Sequence, residues 1–244
     1  MIRSVAGGLA ALVAFASAAG AIVGGAADTG PLARSAVMVL SSNGGMCSAV
    51  VLAPDAILTA AHCATGADSY RVHYRDEGGA PVMIEPAARA VHPGYDAKAI
   101  EARRRSIDLA LVRLPEPLPS RFEAAVLAAA PAAKGERVVV GGYGVLREGE
   151  ARTTGTFRTA RLTVVEPYGP SGVLVWLEGG SSGACLGDSG GPVAREGLVY
   201  AVVSWAKGAG RASCGRTTQG VLVGPQRAWI DRTLRGWGRG ATWE

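Results

Sequence analysis

Charge is scarce in this chain: Asp, Glu, Lys and Arg together make up 18% of its 244 residues. That is too little for a disordered charged segment or a long coiled coil. The excess of one sign is slight, 25 Lys and Arg against 20 Asp and Glu, and the basic residues are scattered instead of sharing one periodic face. A nucleic-acid partner therefore has no support. The densest group, Arg103-Arg104-Arg105, reads as a solvated loop. Cysteine is scarce too. There are four, no two at the C-x-x-C spacing of common structural zinc sites, so zinc is discounted. No segment repeats at a solenoid period.

Apolar residues, at 48%, suffice to bury the core of one large domain or two small ones. The start stands apart. Arg3 gives a short positive lead, residues 5–19 are apolar and rich in Ala and Gly, and small residues follow. This is the layout of a secretory signal. The run is short for a membrane span, diluted by glycine, and lacks a basic stop-transfer flank. Residues 1–21 are therefore set aside as a signal peptide, with a short propeptide as the variant, and a secreted, extracellular location is expected. Export permits disulfides, and four cysteines allow three pairings.

Beyond the leader, apolar runs are short and separated by Gly, Pro, Asp and Asn. Strands are predicted at 36–40, 49–52, 69–74, 109–114, 137–140, 157–165, 173–177, 192–193, 198–205 and 220–223. Many are rich in Val, and Arg71-Val72-His73-Tyr74 alternates like a half-buried strand. So many short strands predict β-barrels or sandwiches. Pro115-Glu116-Pro117-Leu118-Pro119 reads as a linker between two β units, 22–122 and 123–244. Near the end, Pro225 can open a helix in which Trp229/Ile230, Leu234 and Trp237 recur at helical spacing, with Gly236 and Gly238 as stops.

Three segments carry chemistry. Gly187-Asp188-Ser189-Gly190-Gly191-Pro192 surrounds a serine with glycines, which permit a tight turn where backbone N–H groups converge on a developing oxyanion. A serine hydroxyl is a poor nucleophile until a base takes its proton. Thr59-Ala60-Ala61-His62-Cys63 offers such a base, since imidazole titrates near neutrality. His62 follows apolar Ala56-Ile57-Leu58 and is expected at the end of a strand. Asp108 opens the apolar run to Leu114 and either caps a turn or orients the imidazole.

Together these residues resemble the chymotrypsin-like serine protease family, in which His62, Asp108 and Ser189 stand in the family's order. Ile22-Val23-Gly24-Gly25, Val91-His92-Pro93-Gly94-Tyr95, Gly141-Gly142-Tyr143-Gly144 and Ser204-Trp205 extend the resemblance across the chain from Ile22 onward. It implies an all-β fold of two six-stranded antiparallel barrels with a short C-terminal helix. It implies a secreted serine endopeptidase with His62, Asp108 and Ser189 as catalytic triad and no metal or organic cofactor. The backbone N–H groups of Gly187 and Ser189 would form the oxyanion hole. A free Ile22 amine would pair with Asp188, and cysteines would pair 47 with 63 and 185 with 214. The substrate pocket falls on Gly183, Ala184, Ser204, Trp205, Ala206 and Gly220. No Asp stands at the floor position, Gly183, so cleavage is expected after small to medium apolar residues and not after Arg or Lys. Expected partners are a polypeptide substrate and a protein inhibitor, with a monomeric chain and no membrane contact after processing. The Ala-, Arg- and Gly-rich composition suggests a bacterial-type member. The pair Asp76-Glu77 lies where some relatives bind calcium and reads as a plain turn.

A catalytically dead homologue that serves as a binding protein is the first alternative, although such proteins usually lose a triad member. An α/β-hydrolase esterase is the second. It would place Ser before Asp and His and alternate strands with helices, and neither holds here.

Overall fold

The computed structural model describes residues 22–99, 101–102 and 104–244. The expected export signal and Arg103 lie outside the described residues. The chain begins with a short strand, β1 (Ala26–Ala27), and a single helical turn, α1 (Pro31–Arg34). Seven strands follow: β2 (Ala36–Ser41), β3 (Met46–Ala53), β4 (Ala56–Thr59), β5 (Tyr70–Arg75), β6 (Pro81–Ile84), β7 (Ala88–Val91) and β8 (Ala110–Arg113). The short helix α2 (Ala61–Thr65) sits between β4 and β5. The second half holds β9 (Val126–Leu127), β10 (Arg137–Gly142), β11 (Arg158–Val165), β12 (Leu174–Glu178), β13 (Pro192–Arg195), β14 (Leu198–Lys207) and β15 (Thr217–Leu222). It ends with α3 (Arg227–Gly236) and β16 (Thr242–Trp243).

Six strands of the second half close on themselves in the order β10-β11-β12-β15-β14-β13, with β13 paired to both β14 and β10. The ring is filled by alternation. In β11, Ala160, Leu162 and Val164 point inward and are buried while Arg161 faces solvent. The β13–β14 hairpin turns at Glu196-Gly197, both with positive φ, the geometry that matches strand twist in two-residue hairpins.

The first half departs from the expected second barrel. Its seven strands form the open path β6-β5-β2-β3-β4-β8-β7. Glu85-Pro86-Ala87 joins the two edge strands, and Pro86 has no N–H to give a ladder. Ala87 instead donates to Arg113 O at 2.8 Å, drawing β7 onto β8 and away from β6. The runs that form β6 and β7 escape the strand prediction because half of their residues face solvent or the sheet margin. Strand β8 is buried on both faces. Leu111 enters a core shared by the two halves, while Ala110 and Val112 fill the interior of the first sheet. Burying one such leucine is worth about 1.5–3 kcal/mol.

The shared core sets the seam. Val50, Leu52, Leu58, Leu109 and Leu111 of the first half meet Val199, Val202, Val221 and Val223 of the second. Helix α3 adds Trp229, Ile230 and Leu234 to that core, so its tryptophan packs as expected. Beyond α3, the Arg239 guanidinium grips the buried Asp55 carboxylate through two bonds, at 2.6 and 3.0 Å. Asp76 lies in the β5–β6 hairpin turn, where its carboxylate accepts from Ala80 N at 2.8 Å.

Candidate active site

His62 and Asp108 come from the first half. The chain leaves β4 at Thr59 and turns directly into α2, so His62 is helical and not strand-terminal. The small residues Ala60, Ala61 and Ala64 let this helix pack closely, and all three are buried. The Cys47–Cys63 disulfide joins α2 to β3. Asp108 lies two residues before β8 and is buried. Its Oδ2 accepts from His62 Nδ1 at 2.7 Å and from Ser204 Oγ at 2.7 Å, and its Oδ1 accepts from the His62 backbone N at 2.9 Å. This network assigns the Nδ1–H tautomer to a neutral imidazole, leaving Nε2 as the basic nitrogen. Burial works against the charge on Asp108. The hydrogen bonds and charge of His62, with the Ser204 hydroxyl, outweigh it and hold the carboxyl below its usual range.

Ser189 comes from the second half, on the loop between Cys185 and Pro192. Gly187 and Gly190 have φ of +97° and +84°, conformations that L side chains rarely adopt. A Cβ at Gly187 would fall 2.7 Å from Gly144 Cα, and one at Gly190 would collide with Ser48 O and Thr59 Oγ1. The loop is tied to the first half through Ser48, whose N donates to Ser189 O at 2.7 Å and whose Oγ donates to Gly187 O at 2.9 Å. Ser48 Oγ also accepts from Tyr143 N at 2.9 Å, and the Tyr143 hydroxyl donates to Ala36 O. The backbone N–H groups of Gly187 and Ser189 have no acceptor among the described residues. Likewise, no hydrogen bond joins Ser189 Oγ to His62 Nε2 among the described residues. The two segments meet across Cys63, whose Sγ lies 3.5 Å from His62 Nε2 and 3.8 Å from Ser189 O.

Asp188 points the other way, into the second barrel, and is fully buried. Its carboxylate accepts from Gly144 N at 2.8 Å and Cys185 N at 2.9 Å, and no cation forms a salt bridge with it among the described residues. Burial pushes its carboxyl up to about 7, against the pull of those two N–H groups. A Cβ on Gly142 or Gly144 would run into this carboxylate, which accounts for the glycines around Tyr143. Ile22 is fully buried in the core of the second half. Its φ is +53°, strained for a β-branched residue. Val23 is bridged to Gly183, with Gly183 N donating to Val23 O at 3.1 Å.

The expected pocket residues lie together on the second half. Gly183 and Ala184 are buried, and Ala184 N donates to Thr218 Oγ1 at 2.9 Å. A Cβ on Gly183 would meet the Gly215 carbonyl carbon at 2.9 Å and Arg216 N at 3.1 Å. Trp205 and Ala206 pair with Gln219 and Thr218, and the register slips at Ser204. That bulge re-aims the side chain, sending the Ser204 hydroxyl to Asp108. Gly220 faces Val175 and Ala201. The second disulfide joins Cys185 to Cys214. Cys47, His62 and Cys63 bring metal-ligand atom types together, but the disulfide occupies both sulfurs. Sequence reading placed Ser204 in the substrate pocket without a link to Asp108, and overlooked Ser48. Neither hydroxyl sits in a pattern that reveals its partner.

A closed six-stranded barrel packed on an open β sheet, with a C-terminal helix and these three side chains near the seam, defines the chymotrypsin-like architecture. Mouse neuropsin, a serine protease expressed in the limbic system of the brain, shares this fold. The two superpose with a TM-score of 0.71 over 87% of this chain and 100% of neuropsin, at 22% identity. The trypsin family profile matches residues 22–230, and the chain belongs to the trypsin family. It is a serine endopeptidase, a hydrolase acting on polypeptides. Kallikrein-15 of Saguinus oedipus is 29% identical over 217 residues, covering 78% of this chain and 82% of the relative. Trypsin alpha of Drosophila erecta is 28% identical over 233 residues, 88% of each chain. These are animal proteins and lend the bacterial-type expectation no support. No helix among the described residues is long and apolar enough to cross a membrane.

Proposed function

We propose that this chain is a secreted endopeptidase that works through an acyl-enzyme on Ser189. His62 Nε2 takes the hydroxyl proton as Ser189 Oγ attacks the scissile carbonyl, then returns it to the leaving amine. Asp108 keeps the imidazole in the tautomer that accepts at Nε2 and stabilises the imidazolium. The N–H groups of Gly187 and Ser189 receive the oxyanion, and a single donor of this kind is worth about 3–4 kcal/mol in a serine protease. Water then attacks the ester carbon by the same proton route, releasing the acid and restoring Ser189. The observation that carries this reading is the Asp108 carboxylate. It is buried, yet accepts three hydrogen bonds, two of them from His62 and one from Ser204. The roles follow the family's well-studied triad.

A free Ile22 amine would supply the cation that buried Asp188 lacks and so order the loop that presents Gly187 and Ser189. Cleavage after Ala21 in the A-x-A pattern Ala19-Gly20-Ala21 would expose it in one step. A cut after Ala18 would leave three residues to remove. N-terminal sequencing of exported protein separates the two routes: Ile22 first supports direct release, and Ala19 first on a latent form rejects it.

Cleavage follows small to medium apolar residues. The backbone of Gly215 and Arg216 covers Gly183, so the floor is closed by main chain and offers no carboxylate to Arg or Lys. Two experiments test the reading together. A fluorophosphonate should label the wild type at Ser189 and leave Ser189→Ala unlabelled, with turnover falling about a millionfold, as for another serine protease stripped of its nucleophile. A peptide panel should show Ala or Val preferred over Arg and Lys at the cleaved bond. Clear preference for Arg or Lys overturns the pocket assignment, and cleavage retained by Ser189→Ala overturns the mechanism.

A further inference from the structure

We propose that Glu148 is a positioning residue that sets the width of the substrate pocket, by holding the 208–216 loop against the loop that carries Gly187 and Ser189. The inference rests on the peptidase reading above. Glu148 spends its whole carboxylate on one residue. Its Oε2 accepts from Ser213 N at 2.9 Å, and its Oε1 accepts from the Ser213 hydroxyl. Those bonds hold the carboxyl below its usual range, and they join loops 65 residues apart in sequence.

Both ends of this contact are anchored to the site. On one side, the 143–155 segment is braced internally by Gly155 N to Tyr143 O at 2.9 Å and Leu146 N to Thr153 Oγ1 at 2.8 Å. It lies directly on the nucleophile loop, with Val145 N donating to Leu186 O at 2.8 Å and Gly144 N to the Asp188 carboxylate. On the other side, Ser213 is followed by Cys214, whose disulfide runs to Cys185, the residue before Leu186. The contacts close a ring: Glu148 to Ser213, along the chain to Cys214, across the disulfide to Cys185, on to Leu186, and back through Val145. Next to Cys214, Gly215 and Arg216 cover the pocket floor at Gly183. Gly215 N donates to Ala184 O at 3.0 Å.

An exposed ion pair contributes little to stability. Glu148 acts differently, because hydrogen bonds from a main-chain N–H and a hydroxyl to an ionised acceptor are directional and stronger than neutral ones. With the carboxylate gone, Ser213 to Arg216 keeps the disulfide and its backbone bonds but loses the brace across the pocket mouth. The main chain can then move off Gly183, and the pocket admits larger side chains.

The test compares wild type, Glu148→Ala and Glu148→Gln on two peptide anilides that differ only in Ala or Phe before the cleaved bond. Glu148→Ala should lower the Ala-to-Phe ratio of kcat/KM about fivefold, because both bonds to Ser213 are lost at an exposed site where water replaces most of their strength, with the change in KM and not in kcat. Glu148→Gln should stay within about twofold of wild type, because its amide oxygen can accept from Ser213 N while its NH2 donates to the hydroxyl. Both residues are exposed, so the variants should fold, which thermal midpoints check. An unchanged ratio in Glu148→Ala overturns the proposal. So does an equal kcat loss on both substrates, or a Gln variant that behaves like Ala. Phosphonate titration of Ser189 in the wild type separates the failures. No labelling refutes the peptidase reading itself, while normal labelling with an unchanged ratio refutes the clamp alone.

Discussion

The two halves of the molecule hold their shares of the site by different means. The first presents His62 and Asp108 on short segments whose polar atoms satisfy one another, with a disulfide behind them. The second presents Ser189 and Gly187 on a loop whose foundation is a fully buried carboxylate that forms no salt bridge among the described residues and feels Arg158 only at a distance. His62 and Asp108 thus need from the second half only the Ser204 hydroxyl. The loop that carries Ser189 rests on a carboxyl that burial pushes towards protonation, and under the proposed function an Ile22 ammonium would answer it. Under that proposal control belongs to the second half, and the first half supplies a fixed reference.

That contrast can be broken at its strongest point by Asp108→Asn. The amide keeps the packing but presents a donor to His62 Nδ1, forcing the wrong tautomer. Turnover should fall about 10⁴-fold, a magnitude carried over from the family's well-studied triad, with stability changed little. Burst kinetics and thermal melting would check this, and a large loss of stability would show that the first half is not the rigid partner.

The second half can be probed through Asp188. While the bond before Ile22 is intact, its carboxyl titrates near 7 in the folded state, against about 3.9 when unfolded. The folded chain binds more protons across that window. The stability this carboxyl contributes is therefore fully present below the unfolded value and is lost as pH rises towards 7. The integrated loss is on the order of 3–4 kcal/mol. A chain starting at a free Ile22 should not show it, and Asp188→Asn should abolish the difference. Urea unfolding of both forms at pH 4.5 and 7.5 measures it, and parallel profiles would deny Asp188 its special place.

The smallest effect sharpens the boundary between the halves. Ser204 belongs to the second yet donates to Asp108 in the first. Ser204→Ala removes one of three hydrogen bonds to that carboxylate. It should cost about 1 kcal/mol, or roughly fivefold in kcat/KM, and raise the acid limb of the pH–rate profile slightly.

Legibility followed the length scale of each cause. The Gly-Asp-Ser-Gly-Gly-Pro string, the His-Cys pair and the Asp-opened apolar run are local. Their chemistry could be read because each residue type is demanded by its neighbours. Strands such as β11 and β14, with a run of buried residues along one face, were also readable. Strands β6 and β7 were not, because they pack at an open margin where little apolar area is buried. The failure of the first sheet to close depends on a proline and on where Ala87 finds its acceptor, and neither is encoded in periodicity. Helix α2 is too short to show a period. The second role of Ser204 arises from a one-residue slip in register. The brace through Ser48 links segments 139 positions apart, beyond any local pattern.

The grip of Arg239 on Asp55 has a consequence for the order in which the molecule can be finished. Asp55 is synthesised early and its partner 184 residues later. Until the final stretch arrives, that buried carboxylate has only the Arg113 guanidinium of β8 beside it, 3.8 Å away and without a hydrogen bond. The early sheet can assemble around that charge, and its Asp55 corner gains its two short charged hydrogen bonds only when the segment after α3 docks.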